Sequence, residues 1–172
     1  ERTDFSRAAA GTDRISHKEV RGYELLQGKK VFEGRLLGGC LESLYDILTT
    51  TRYADEKAVC EKYGIFPPRE EWTGKILFVE TCEEKSQPAL FEKELKALKD
   101  RGVFDVVAGV IVGKPQDEAF YEEYKDIWKK TVNNDQLPIV YNVNFGHATP
   151  RCALQYGAMA RVDMEKKVII FS

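Results

Sequence analysis

The sequence has two histidines, His17 and His147, and none of its four cysteines (Cys40, Cys60, Cys82, Cys152) forms a C-x-x-C pair. That is too few ligands at the wrong spacing for the usual zinc patterns, so no metal and no cofactor are expected. Charge of one sign is lacking as well. A formal net charge of −2 offers no field that would attract nucleic acid or an anionic membrane. No apolar run approaches the ~20 residues that a membrane-spanning helix needs. The sequence shows no repeats or low-complexity tracts, and no signal peptide is visible at Glu1. The chain does not begin with Met and reads as a piece of a longer protein. Unpaired cysteine spacing fits free thiols in a reducing, cytoplasmic setting.

What is present is an ordinary globular composition. The chain has 172 residues, 43% hydrophobic and 31% charged. Such a length buries roughly two-thirds of the unfolded surface in one domain. Residues 1–20 are polar without a clear period and are expected to be a linker or an irregular edge. Residues 21–172 form the domain proper.

The first apolar runs, "GYELLQG" and "KVFEGRLLGG", flank Gly28 to Lys30 and predict a β-hairpin. Gly38 and Gly39 are read as the strand exit, a pair too short for a phosphate-binding fingerprint. Leu41, Leu44, Tyr45 and Leu48 then fall at helical spacing, and "DEKAVCEKYG" predicts a second short helix capped by Gly64. "IFPPREEW" must be a loop.

From Gly74 onward the pattern is regular. "KILFVET", "DVVAGVIVG" and "LPIVYNVN" are continuous apolar runs, the mark of strands covered on both faces. Between them lie two amphipathic helices. The first carries Phe91, Leu95 and Leu98, with Ser86 as its expected N-cap and Pro88 in its first turn. The second carries Phe120, Tyr124, Ile127 and Trp128. The tail predicts two strands around a polar turn at Asp163 to Lys166. Alternating strands and helices predict an α/β fold with a parallel core, made mixed by antiparallel flanking strands.

In open parallel sheets, ligands gather beyond the carboxyl ends of the strands. That rule selects Glu80, the Gly113–Lys114 turn, and the loop Phe145-Gly146-His147 within "NVNFGHATP". A carboxylate beside an imidazole fixes its tautomer and stabilises its cation, which is the base-and-orienter part of a hydrolytic triad. Gly146 would let backbone approach a substrate. The plainer account is also open: a strand-end Glu often serves as an ion-pair partner, and a loop His as a hydrogen-bonded surface residue. A nucleophilic Cys82 or Cys152 using His147 is a further alternative. Asp46, Asp55 and Glu56 are better read as a solvated face than as metal ligands.

Four stretches in order carry a resemblance: "GRLLGGCLESL", "GKILFVET", "GVFDVVAGVIVGKP" and "LPIVYNVNFGHATPRCALQYGAMARVD". Together they resemble the carboxyl-terminal half of the LD-carboxypeptidase family of serine peptidases, which includes murein tetrapeptide carboxypeptidases and microcin C self-immunity peptidases. The resemblance runs from about Lys30 to the end and implies a swivelling β/β/α-type domain. It also implies a Ser-Glu-His triad with Glu80 and His147 as its catalytic Glu and His, and Gly39, Cys40 and Gly146 beside the substrate. The nucleophilic Ser would belong to an amino-terminal domain of the same protein. Ser6, Ser16, Ser43 and Ser86 all lack the strand-turn-helix context it needs. The implied activity is hydrolysis of an amide near a peptide's carboxyl end, in a murein L,D-tetrapeptide or a peptidyl-nucleotide. The chain alone would be inactive, and the whole protein a homodimer. A non-catalytic binding or dimerisation module of the same shape is the alternative. Two features depart from the family pattern: Cys40 stands where Asn usually follows the glycine pair, and the stretch from Leu48 to Trp72 is longer than usual.

Overall fold

The computed structural model describes residues 2–4, 15–50 and 52–172. Within the segment expected as a linker, β1 (Arg2–Asp4) and β2 (Ile15–His17) pair as a short antiparallel ribbon. Residues 1 and 5–14, Ser6 among them, lie outside the described residues.

The rest of the chain builds one seven-stranded sheet. Its strands are β3 (Glu24–Gln27), β4 (Val31–Cys40), β5 (Ile76–Glu80), β6 (Gly109–Gly113), β7 (Ile139–Val143), β8 (Met159–Asp163) and β9 (Val168–Phe171), in the spatial order β3-β7-β6-β5-β4-β8-β9. Pairs β4–β5, β5–β6 and β6–β7 are parallel, while β3, β8 and β9 join antiparallel. The expected mixed, partly parallel α/β architecture is therefore what the chain adopts. Helices α1 (Leu41–Thr49), α3 (Pro88–Asp100) and α4 (Tyr121–Val132) cover one face, and α2 (Glu56–Tyr63) stands outside with no buried residue. Among the described residues no helix is long and apolar enough to cross a membrane.

Strand alternation sorts the core into two layers. Leu77, Val79, Val110, Val112, Ile139 and Tyr141 face the helices, where Phe91, Leu95, Leu98, Tyr124 and Trp128 meet them. Phe91 stacks on Tyr124 with ring centroids 3.8 Å apart. Each fully buried side chain of this kind contributes about 1.5–3 kcal/mol. The opposite residues, Ile76, Phe78, Ile111, Val140 and Val143, form the second layer with Phe32, Leu36, Phe145 and Val162. Leu25 of β3 and Ile169 of β9, from opposite edges of the sheet, pack against this same layer. The sheet is therefore curled, with the second layer on its concave side.

Three local expectations give way. The hairpin does not form: β3 pairs with β7 at one edge, and β4 lies four places away between β5 and β8. Gln27 Nε2 donates to the carbonyls of Asn134 (2.7 Å) and Leu137 (3.0 Å), and Gly28 packs so closely on Pro138 that a Cβ would meet it at 2.5 Å. Those contacts commit β3 to the buried β7, whose edge needs a partner, and the Gly28–Lys30 link crosses the curl instead of folding back. Second, the glycine pair does not end the strand, because β4 continues in register with β5 through Cys40. Gly38 is required there, since a Cβ would lie 1.8 Å from the Phe78 carbonyl oxygen. Third, Gln87, not Ser86, is the N-cap of α3. Ser86 Oγ instead donates to the buried Glu94 at 2.9 Å, whose carboxyl is pushed up to about 7, chiefly by burial.

The close approach at Gly38 makes a prediction. Gly38→Ala drives a methyl into backbone that no side-chain rotation can clear, so it should cost about 1–3 kcal/mol or more. A urea denaturation midpoint equal to that of the unmodified protein would contradict the crowding.

Candidate active site

Three parallel strands end at one level and deliver the site. Glu80 is the last residue of β5, and Cys40, the last of β4, lies directly beside it in register. The third contribution is the loop that follows β7. It carries Phe145 into the concave layer and then turns at Gly146, whose φ is +91°.

Glu80 is only 7% exposed, and two glycines make room for it. A Cβ on Gly113 would come within 2.7 Å of the Glu80 Cβ, and one on Gly146 within 2.6 Å of both its Cβ and its Oε2. The carboxylate thus sits in a notch with a glycine from β6 on one side and one from the His147 loop on the other. Within it, Glu80 Oε2 lies 2.8 Å from the ring Nδ1 of His147 and accepts the His147 backbone N–H at 3.0 Å. One oxygen fixes both the loop and the ring. The arrangement assigns Nδ1 the donor role and leaves Nε2 as the basic nitrogen. Nε2 points to the cleft, 3.3 Å from the rim carboxylate of Glu83. The imidazole pKa is raised, first by the hydrogen bond to Glu80 and then by the charges of Glu80, Glu83 and Glu42, against an opposing effect of burial.

The residues expected beside the substrate gather here too. Gly39, Cys40 and Gly146 line an open 250 Å³ pocket next to Glu80, together with Phe78, Phe145, Leu154 and Tyr156. Tyr156 donates its hydroxyl to the Gly38 carbonyl at 2.7 Å. On the other side of the carboxylate a second cleft is lined by Cys40, Glu42, Ser43, Cys82, Glu83 and His147. Of the residues around this site, Gly113 is selected in the sequence by its place at the end of an apolar strand, as part of the Gly113–Lys114 turn, whereas Tyr156 carries no signal and is missed.

The competing assignments fare differently. Burial pushes the thiols of Cys40 and Cys82 up to about 11 and about 12, so neither is an activated nucleophile. Cys152 Sγ donates to the Asn144 carbonyl at 3.0 Å. Asp46 pairs with Arg52, and Glu56 accepts backbone N–H groups from Arg52 and Tyr53. Lys114, at the expected strand-end turn, is fully buried and bound to Glu19 at 2.8 Å, so it anchors the incoming segment rather than facing the cleft.

The Glu80 contact can be tested by titration. By proton NMR, His147 should titrate above the ordinary value near 6.5, and Glu80→Gln should bring it back down. Because the folded pKa is the higher one, the pair's stabilisation is fully present below about pH 6.5 and fades as pH rises through the folded value. The stability gap between the parent and Glu80→Gln should therefore be wider at pH 6 than at pH 9. A gap of the opposite sense would contradict the pairing.

Comparison with known proteins identifies the family and the fold. The model of the LD-carboxypeptidase C-terminal domain matches residues 33–162. A candidate carboxypeptidase of Treponema pallidum (strain Nichols) is 35% identical over 98 residues, covering 55% of this chain and 28% of that protein. A candidate murein peptide carboxypeptidase of Bacillus subtilis (strain 168) is 26% identical over 152 residues, covering 86% of this chain and 41% of that protein. Among solved structures, the MccF-like protein from Streptococcus pneumoniae in complex with AMP superposes with a TM-score of 0.89 at 52% identity, covering 100% of this chain and 50% of that one. The chain thus spans half or less of the length of each of these three relatives. With the family model matched across most of its length, the chain belongs to the LD-carboxypeptidase C-terminal domain family.

Proposed function

We propose that this chain is the carboxyl-terminal half of a serine-type carboxypeptidase and supplies the His and Glu of a Ser-Glu-His triad. The observation that carries the reading is the 2.8 Å contact between His147 Nδ1 and Glu80 Oε2, formed where three parallel strands end. The serine comes from an amino-terminal domain of the same protein. In support, Nε2, the ring nitrogen not bound by Glu80, faces the cleft at the exposed rim carboxylate of Glu83, where an incoming hydroxyl can reach it. Ser86 is spent on Glu94.

The chemistry follows from the donor order. As the serine oxygen attacks the scissile carbonyl, its proton passes to His147 Nε2. The imidazolium that forms is held by Glu80 through Nδ1–H. Collapse of the tetrahedral intermediate breaks the C–N bond, and the amine leaves with the proton from Nε2. Water repeats the cycle on the acyl-enzyme, with His147 again as base and then as acid. Donors to the oxyanion come from the other domain. Gly39, Cys40 and Gly146 form the substrate wall next to Glu80.

The substrate is an amide near a peptide's carboxyl end. AMP in the Streptococcus pneumoniae protein favours a peptidyl-nucleotide, while the name of the Bacillus subtilis relative favours a murein peptide; the higher identity of the first weighs toward the nucleotide. A cytoplasmic homodimer completes the reading on the resemblance alone.

Kinetics of the full-length protein test the assignment. His147→Ala should lower kcat/KM by about a hundred- to ten-thousand-fold on a peptidyl-adenylate analogue, with a murein tetrapeptide run in parallel. The base must be neutral to act, so kcat/KM should rise with pH through the raised His147 value. Glu80→Gln should move that limb to lower pH while reducing the plateau. Unchanged turnover in His147→Ala, or a limb that ignores Glu80→Gln, would remove the assigned base.

A further inference from the structure

Beside the Glu80–His147 pair lies a cluster whose thiols and carboxylate take no part in the proposed proton transfers, although Cys40 also belongs to the substrate wall. Cys40 ends β4, Glu42 stands in the first turn of α1, and Cys82 follows β5 by two residues. The two sulfurs and a Glu42 carboxylate oxygen all lie within 4.8 Å of one another. Cys40 Sγ is 3.2 Å from Glu42 Oε2, and the Cys82 backbone N–H donates to both Glu42 oxygens at 3.1 and 3.2 Å. The carboxylate is thus clamped between the two thiols, with backbone holding it in place. All three residues line the cleft onto which His147 opens.

The geometry points to a binding site for a thiophilic divalent cation, of the zinc or cadmium type, formed by Cys40, Cys82 and Glu42. Three arguments carry it. The first is donor chemistry: two thiolates and one carboxylate suit a soft or borderline ion and discriminate against magnesium and calcium, which take oxygen alone. The second is spacing. Bonds of about 2.3 Å to sulfur and about 2.0 Å to oxygen, at the tetrahedral angle, separate two ligand atoms by about 3.5–3.8 Å. The present Cys40–Glu42 contact, 3.2 Å, has only to open slightly, and the other pairs, all within 4.8 Å, need to close by about 1.3 Å at most. The third is access and field. The cleft is open to solvent, which supplies the fourth ligand, and its wall adds Glu83 and Glu84 to an Asp46 that is paired with Arg52, a balance that still favours a cation.

Binding displaces one proton from each thiol to solvent, and a dication then sits on two thiolates and a carboxylate with one net negative charge. The site depends on Cys40 occupying the position after the glycine pair, and on the β4–β5 register that sets Cys40 beside Glu80. It does not depend on His147 acting as a base, so its test is independent of the peptidase reading.

The probe is cadmium chloride added to the full-length protein, read by the ultraviolet thiolate-to-metal absorption. One ion per chain should bind, with the intensity of two thiolates. Cys60→Ala/Cys152→Ala should keep the signal, Cys40→Ser/Cys82→Ser should lose it, and Glu42→Gln should weaken binding by about tenfold or more. A measurement without substitutions guards against misfolded variants. Zinc chloride should slow alkylation of Cys40 and Cys82, followed by peptide mass spectrometry, while Cys60 and Cys152 keep their rates. Absorption that survives in Cys40→Ser/Cys82→Ser, or zinc that protects all four thiols or none, would overturn the site.

Discussion

Glu80 Oε2 accepts two hydrogen bonds from a single residue, the backbone N–H and the ring Nδ1 of His147, and the arrangement of the whole strand-end edge follows from that grip. A carboxylate with so little exposure is stable only when its charge is met by donors. Here the donors come from the loop that follows β7. Glycine on both sides is the steric condition: a side chain at Gly113 or Gly146 would push the carboxylate out of its notch and take the loop and the imidazole with it. Notch, carboxylate, loop and ring therefore behave as one unit, and the conformation at Gly146 serves it directly.

The side on which this unit appears is decided by the pleat of β5. Leu77 and Val79 point to the helices; Ile76 and Phe78 point to the concave layer. Glu80 has the parity of Phe78, so it emerges on the concave side, where Phe145 has already pinned the loop after β7 with its ring edge-on to Phe78, centroids 6.0 Å apart. The parallel register then brings Gly39 and Cys40 alongside. No long-range force is needed to assemble the site, because three strands packed in one direction end together. A slip of β5 by one residue would turn Glu80 toward α1 and α3.

What the sequence made legible, and what it hid, divides along the same line. The continuous apolar runs around Leu77, Val110 and Val140 announce strands buried on both faces, and the strand-end rule then picks out Glu80 and His147 as neighbours although 67 residues separate them. The hairpin failed because turn residues such as Gly28 report a change of direction and nothing about the partner. The partner of β3 is β7, more than a hundred residues on, chosen by the need to cover a buried edge. The glycine pair misled for a related reason: Gly38 was read as a breaker, whereas its missing side chain lets β4 lie against Phe78 and keep pairing. The Cys40–Glu42–Cys82 cluster has no signature of local spacing at all. Its sulfurs meet because β4 and β5 run parallel, which a count of intervals along the chain does not reveal.

The rim carboxylate of Glu83 bears on how such a site would be used. It stands 3.3 Å from Nε2, the nitrogen that must receive the serine proton in the proposed mechanism, so the same atom faces two partners in turn. Energies decide which one yields. Glu83 is 72% exposed in its side chain and has water as a ready alternative; an ion pair of that kind is worth about 0–1 kcal/mol. Glu80, almost fully enclosed and bonded twice to the same residue, has no comparable alternative. The contact at Nε2 is therefore the replaceable one and the contact at Nδ1 the permanent one, which is the asymmetry a general base requires. The ring keeps its orientation while its working nitrogen exchanges a surface carboxylate for an incoming hydroxyl. The acidic rim meanwhile favours the protonated ring, so the same charges that hold His147 in place also set the pH above which it can begin to accept protons.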